Sequence, residues 1–265
     1  MTTLTTSPSK VGILILSMVL GLSLFMCTSC GDGFEAAPTS VCKAIAELPY
    51  DPANFTQGFL VADGHFYAGT GQRGASRLIR IDMKTGKTIK EAKLANQLFG
   101  EGIVVHDGMI YQLTWKSQKC VAFDLKNMIR RNKQFTYRGE GWGITSNGKE
   151  FFMSNGTHEI VVRNPEDFKE VRRFSVTEST ESIRELNELE YINGELWANI
   201  WQQDRIARID PETGKIKSWV DCKSLRDKLE NPDAGVLNGI AYDPIGKKIW
   251  VTGKNWDKMF QIEVD

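Results

Sequence analysis

From residue 57 onward, short apolar runs alternate with polar punctuation, and the same phrase returns five times. The first copy reads Gln57-Gly58-Phe59-Leu60-Val61, then Asp63-Gly64, then His65-Phe66-Tyr67-Ala68. The others open at Glu101-Gly102-Ile103, Trp142-Gly143-Ile144, Glu188-Leu189-Glu190 and Asn238-Gly239-Ile240. They turn at Asp107-Gly108, Asn147-Gly148, Asn193-Gly194 and Gly246. Asp-Gly or Asn-Gly between apolar runs predicts a tight hairpin, because a type I′ turn holds both central residues at positive φ. The first four copies add a third strand of period-two alternation, as in Leu78–Asp82 and Arg205–Asp210. A turn such as Lys84-Thr85-Gly86-Lys87 and a more polar fourth strand follow.

The copies start near residues 58, 102, 143, 189 and 239. Four strands in a repeat of roughly 40–50 residues is the spacing of a propeller blade. The pattern predicts an all-β chain forming a five-bladed β-propeller. The last copy ends after three strands, and Val41–Leu48 is the obvious donor of its fourth. That N-terminal strand closes the last blade and leaves no open sheet edge. A jelly roll or sandwich does not explain so regular a repeat. Two insertions interrupt it. One is Glu178–Leu186. The other, Cys222–Gly235, has a helical pattern over Lys223–Leu229, with Ser224 as its cap and Asn231-Pro232 as its end.

Ahead of the repeats, Lys10 precedes an apolar run from Val11 to Met26. The run is short for a bilayer span, which needs roughly 20 residues, and suits a signal-peptide core. It ends at Cys27-Thr28-Ser29-Cys30, and the small residue before Cys30 resembles a bacterial lipoprotein processing site, with cleavage before Cys30 and lipid on its sulfur. An ordinary signal peptide and an uncleaved anchor are the alternatives. On this reading residues 1–30 are the processing segment, 31–40 a flexible tether and 41–265 the folded domain. The domain is exported to the periplasm or cell surface and meets the membrane only through its lipid. Cys42, Cys120 and Cys222 remain. They are too far apart for a zinc knuckle and too few for a disulfide framework. They read as buried small apolar residues, with room for one disulfide whose pairing the spacing leaves open.

Composition adds one exclusion. Lys and Arg number 33 against 33 Asp and Glu, so no basic stripe argues for nucleic acid. The informative positions are those where the copies disagree. In a propeller the first strand of each blade lines the channel, and its opening residues face the axis. Here they are Gln57, Glu101, Trp142, Asn187 with Glu188 and Glu190, and Asn238. Polar groups crowded there need partners, at a cost of about 1–3 kcal/mol each if unmet. Phe55, Phe99, Trp115, Trp142 and Trp201 lie beside the same positions, and Lys254 precedes Trp256. Apolar walls around a few polar groups are the usual form of a small-ligand site.

The strings Phe55-Thr56-Gln57-Gly58-Phe59, Phe99-Gly100-Glu101-Gly102, Gly141-Trp142-Gly143, Leu186-Asn187-Glu188-Leu189-Glu190 and Thr252-Gly253-Lys254 resemble the plant-type glutaminyl-peptide cyclotransferases. The resemblance runs from about Val41 to Asp265, in matching order and spacing. It implies a five-bladed propeller enzyme that converts an N-terminal glutaminyl residue to pyroglutamate and releases ammonia. Its partners are then peptides or proteins with N-terminal Gln, and it is expected to act as a monomer.

That reaction needs a proton shuttle, stabilisation of the carbonyl oxygen and a folded-back side chain. Glu101 is the candidate shuttle, its pKa raised by the walls of Phe99, Trp115 and Trp142. Lys254, Gln57 and Asn187 are candidates to hold the carbonyl oxygen or the α-amine. Phe55, Trp115, Trp142 and Trp201 confine the substrate. Glu188 and Glu190 have no clear place in the chemistry. His65, His106 and His158 are scattered, so no cofactor and no catalytic zinc are expected. An axial ion held by backbone carbonyls would leave no trace in the side chains. The alternatives are a non-catalytic, membrane-tethered propeller that binds a peptide or sugar, and a lactonase-like or dehydrogenase-like propeller, whose site needs calcium or a cofactor cage and a carboxylate cluster that is not evident.

Overall fold

The computed structural model describes residues 1–5 and 36–264. The proposed signal core, Cys27, Cys30 and residues 31–35 of the expected tether lie outside the described residues. Residues 36–264 are all-β apart from one short helix.

Five antiparallel four-stranded units follow the sequence repeat. The first holds Thr56–Ala62, His65–Thr70, Arg77–Asp82 and Thr88–Lys93. The second holds Gly100–His106, Met109–Thr114, Lys119–Asp124 and Arg130–Thr136. The third holds Ile144–Ser146, Phe151–Met153, Glu159–Arg163 and Glu170–Ser175. The fourth holds Leu186–Ile192, Glu195–Ile200, Arg205–Ile209 and Ile216–Asp221. The fifth holds Leu237–Asp243, Lys248–Gly253 and Lys258–Val264, completed by the N-terminal strand Thr39–Pro49, which runs antiparallel to Lys258–Val264. This closing strand also pairs in parallel with Trp219–Asp221, so the fourth and fifth units merge into one eight-stranded sheet. It begins at Thr39, two residues inside the expected tether, because Thr39 and Ser40 already find backbone partners in Trp219 and Val220.

Each first strand packs against the first strands of the units before and after it, and the fifth packs against the first. Apolar residues on the two faces of a strand therefore enter two different cores. Leu60 joins Ile103 and Val121 between the first two units, whereas the adjacent Phe59 joins Trp250 and Met259 between the first and fifth. Five such clusters, one at each junction, replace a single central core. The fourth strands are mostly exposed, which accounts for their polar sequences.

Glycine permits the close approach of the first strands. A Cβ on Gly58 would sit 2.6 Å from the Ile103 nitrogen, and one on Gly102 would sit 2.7 Å from the Trp142 carbonyl oxygen. In the fourth unit Glu188 occupies this place. Its carboxylate accepts the Phe59 N–H at 3.1 Å and the Ile240 N–H at 2.9 Å, tying the fourth unit to the first and fifth. Glu190 accepts the Tyr242 N–H at 3.0 Å and the Thr145 hydroxyl at 3.1 Å. Both carboxylates are structural ties among first strands.

Two local expectations change. Asp63-Gly64, Asp107-Gly108 and Asn193-Gly194 all have positive φ at both residues, as a type I′ turn demands. Asn147 does not: its side-chain oxygen accepts the Lys149 and Glu150 N–H groups, opening the third hairpin to a four-residue loop. The helix in the second insertion is a six-residue 3₁₀ turn, Lys223–Lys228, with Cys222 at its cap position and no side-chain cap bond. Ser224 lies inside it, and it ends at Leu229 rather than at Asn231-Pro232. Its i→i+3 bonds, Leu225 N–H to Cys222 O and Leu229 N–H to Arg226 O, are the short-range kind that so brief a helix favours. The Glu178–Leu186 insertion contributes a small hairpin, Thr177–Glu178 with Glu181–Ser182.

Candidate active site

Where the first strands begin and the second strands end, a cavity of about 350 Å³ is lined by Phe55, Gln57, Phe99, Glu101, Trp115, Trp142, Asn187, Trp201 and Lys254. The structure thus brings together all nine side chains singled out for catalysis or substrate contact. Bulges aim several of them. The pairing of the first strand slips between Thr56 and Gly58, Gly100 and Ile103, Leu186 and Leu189, and Leu237 and Ile240. Gln57, Glu101, Asn187 and Asn238 fall within these slips, and a bulge re-aims a side chain that regular alternation would send elsewhere. Trp115, Trp201 and Lys254 follow the second strands of their units directly. Lys254 forms an isolated bridge with Phe55 across the junction of fifth and first units.

The walls are interlocked rings. Phe99 meets Phe55 edge-on at 6.2 Å and Trp115 at 5.5 Å, and Trp142 meets Trp201 edge-on at 5.9 Å. Trp201, 37% exposed, forms the rim. The Lys254 ammonium lies 5.0 Å from the centre of the Phe55 ring, where the ring face attracts a cation.

The polar groups are buried. Glu101 is 3% exposed, and its Oε2 has no hydrogen-bond partner among the described residues; neither has Oδ1 of Asn187. Burial pushes the Glu101 carboxyl well above the usual carboxylate range, against the pull of Lys254 and a hydrogen bond from Gln57. Burial likewise brings Lys254 down to about 8, opposed by the Glu101 charge. Burial thus brings the proton affinities of the two groups closer together than those of a free carboxyl and a free ammonium.

Two residues outside the nine organise them. Asn238 Nδ2 donates to the Thr56 carbonyl at 2.9 Å and to Gln57 Oε1 at 3.1 Å. A backbone carbonyl only accepts, so the Asn238 amide has one orientation. Gln57 Oε1 accepts from it, which turns the Gln57 NH₂ toward Glu101. Glu140 Oε2 accepts both indole N–H groups, Trp115 at 2.6 Å and Trp142 at 3.0 Å. Lys116 lies 4.2 Å over the Trp115 ring and 3.4 Å from Glu140 Oε1. Burial would raise the Glu140 carboxyl, but the bonds from Trp142, Trp115 and Lys116 hold it below its usual range.

Asn238 stood in the sequence among the opening polar residues, without an assigned role. Glu140 carried no signal beyond its place two residues before Trp142. Trp256, grouped with the site aromatics by its nearness to Lys254, is fully buried in the core between fourth and fifth units, its indole N–H donating to the Gly235 carbonyl at 2.9 Å. Among the described residues no group of three His, Cys, Asp or Glu is arranged to hold a metal ion.

The sequence model of the glutamine cyclotransferase family matches residues 16–264. A glutaminyl-peptide cyclotransferase of Arabidopsis thaliana is 37% identical over 226 residues, 84% of this chain and 71% of that protein. The crystal structure of Myxococcus xanthus glutaminyl cyclase superposes with a TM-score of 0.81 at 30% identity, covering 86% of this chain and 98% of the other.

Proposed function

The chain belongs to the glutamine cyclotransferase family of enzymes, and we propose that it converts the N-terminal glutaminyl residue of peptides or proteins to pyroglutamate, with Glu101 as proton shuttle. We read its scaffold as a five-bladed β-propeller, supported by the cyclic packing of five first strands and by the closing strand. The site sits at one mouth of its channel.

In the proposed reaction the free α-amine attacks the δ-carbonyl carbon and a five-membered ring closes. One proton leaves the attacking nitrogen for the Glu101 carboxylate and passes to the departing amide nitrogen, whose bond to carbon breaks as ammonia forms. Asn187 Oδ1, an acceptor with no partner among the described residues, suits the α-amine. Lys254 supplies positive charge and donors where the carbonyl oxygen gains charge. Gln57, its NH₂ turned toward Glu101, holds that carboxyl. The aromatic walls fold the short side chain back on its own amine and exclude water. One buried carboxylate beside one buried ammonium, enclosed by five aromatic residues, is the observation that carries this assignment.

The chain is further proposed to be exported, anchored through lipid on Cys30, and monomeric, with the apolar run and the Ser29-Cys30 junction as support. The test is ammonia release from a peptide beginning with Gln. Turnover is expected, and it is lost in Glu101→Gln. A folded protein that binds such peptides without releasing ammonia would instead be a binding module.

A further inference from the structure

We propose that Cys42 and Cys222 form a disulfide that staples the closing strand to the fourth unit. Along the parallel pairing, Thr39 lies opposite Trp219, Ser40 opposite Val220 and Val41 opposite Asp221. One residue further along both strands stand Cys42 and Cys222. Adjacent strands lie about 4.8 Å apart, inside the ~4.4–6.8 Å Cα separation that a disulfide spans. Both side chains are buried in the same apolar cluster, with Ile206, Val220 and Phe260. Each thiol is the leading influence on the other's proton affinity, as neighbouring sulfurs would be. Cys120 lies in a different cluster, between the second and third units. Of the three pairings that spacing left open, one is in register.

One of the two thiolates attacks an external disulfide oxidant, and the other resolves the mixed disulfide. Two S–H bonds break and one S–S bond forms. Two electrons and two protons pass to the oxidant, which leaves as two thiols. Both sulfurs are enclosed in the folded protein, so the step belongs to folding, before the closing strand seals the cluster.

The parallel pairing it reinforces is only three residues long. A cross-link there joins positions far apart in sequence, which constrains the unfolded chain strongly. It makes closure of the eight-stranded sheet covalent.

The test refolds the full chain from denaturant in a buffer of reduced and oxidised glutathione, followed by alkylation, digestion with a glutamyl endopeptidase and mass mapping. Cleavage after Glu35 separates Cys42 from Cys27 and Cys30. The expected product links residues 36–47 to residues 213–230, is lost on reduction, and is absent from Cys42→Ser and Cys222→Ser. The oxidised protein is expected to melt roughly 5–15 °C above the reduced one. Refolded wild-type protein with both cysteines separately alkylated, or with Cys120 in the cross-link, overturns the site. A Cys42–Cys222 link that leaves the melting temperature unchanged overturns the staple.

Discussion

Replacing Glu140 with alanine removes the single oxygen to which both Trp115 and Trp142 donate, at 2.6 and 3.0 Å. A hydrogen bond to a charged acceptor contributes roughly 1.5–3 kcal/mol when buried. The Glu140 side chain is 36% exposed, and solvent takes back much of that, leaving ~1–2 kcal/mol for the two bonds together. Spent on holding the walls in place, this corresponds to roughly a 5- to 30-fold loss in kcat/KM. In the proposed reaction the walls grip the glutaminyl side chain before and during bond making, so the loss should fall mainly on KM. Glu140→Gln keeps an oxygen able to accept from both indoles and should stay within about 3-fold of the parent enzyme. Steady-state ammonia release over a range of Gln-peptide concentrations measures both parameters. A Glu140→Ala enzyme with unchanged KM, or a Glu140→Gln enzyme as impaired as Glu140→Ala, refutes wall positioning. The second result would mean that the Glu140 charge itself meets the substrate.

Three further perturbations probe other parts of the site and scaffold. Asn238→Ala frees the Gln57 amide to rotate and leaves Glu101 poorly held; kcat in the same assay should drop by roughly 10-fold or more. Glu190, pushed by burial from 4.5 up to about 8, binds a proton in the folded protein that the unfolded chain lacks at intermediate pH. Its contribution to stability is complete below about 4.5 and is lost as pH rises through about 8. Urea unfolding at a series of pH values should therefore show declining stability over that window, and Glu190→Gln should flatten the decline. Lys254, brought down to about 8 by burial, loses its charge as pH rises past that value, giving kcat/KM an alkaline limb; Lys254→Arg, charged throughout, should retain residual activity without that limb.

The scaffold was legible because its signals are local. Three hairpins are written in an Asp-Gly or Asn-Gly dipeptide, each four-stranded unit follows a repeat, and the first strands of the first two units read as apolar runs, Phe59-Leu60-Val61 and Ile103-Val104-Val105. The pocket was legible for the opposite reason: Gln57, Glu101, Trp142 and Asn187 depart from one another at equivalent places in otherwise similar copies. What sequence reading missed depends on side-chain direction or on contact between distant units. Glu140 is an ordinary loop carboxylate until two indoles from different turns point at it. Glu188 resembles a site residue by position, yet its oxygens cross to Phe59 and Ile240 in two other units. Asn147-Gly148 carries a hairpin dipeptide, but the Asn147 side chain claims two backbone N–H groups and opens the loop. Cysteine spacing does not reveal that Cys42 and Cys222 stand side by side; a three-residue parallel pairing between the closing strand and the last strand of the fourth unit does.

The proton shuttle is tested most directly by comparing ammonia release from a Gln-peptide by the wild-type chain and by Glu101→Gln, with circular dichroism and melting temperature establishing that both are folded. Glu101→Gln keeps the size and polarity of the side chain and removes only its ability to accept and return a proton. The predicted result is wild-type turnover reduced by at least ~100-fold in kcat, with peptide affinity retained. A folded Glu101→Gln enzyme with near wild-type kcat contradicts the assignment of Glu101 as the group that carries the proton.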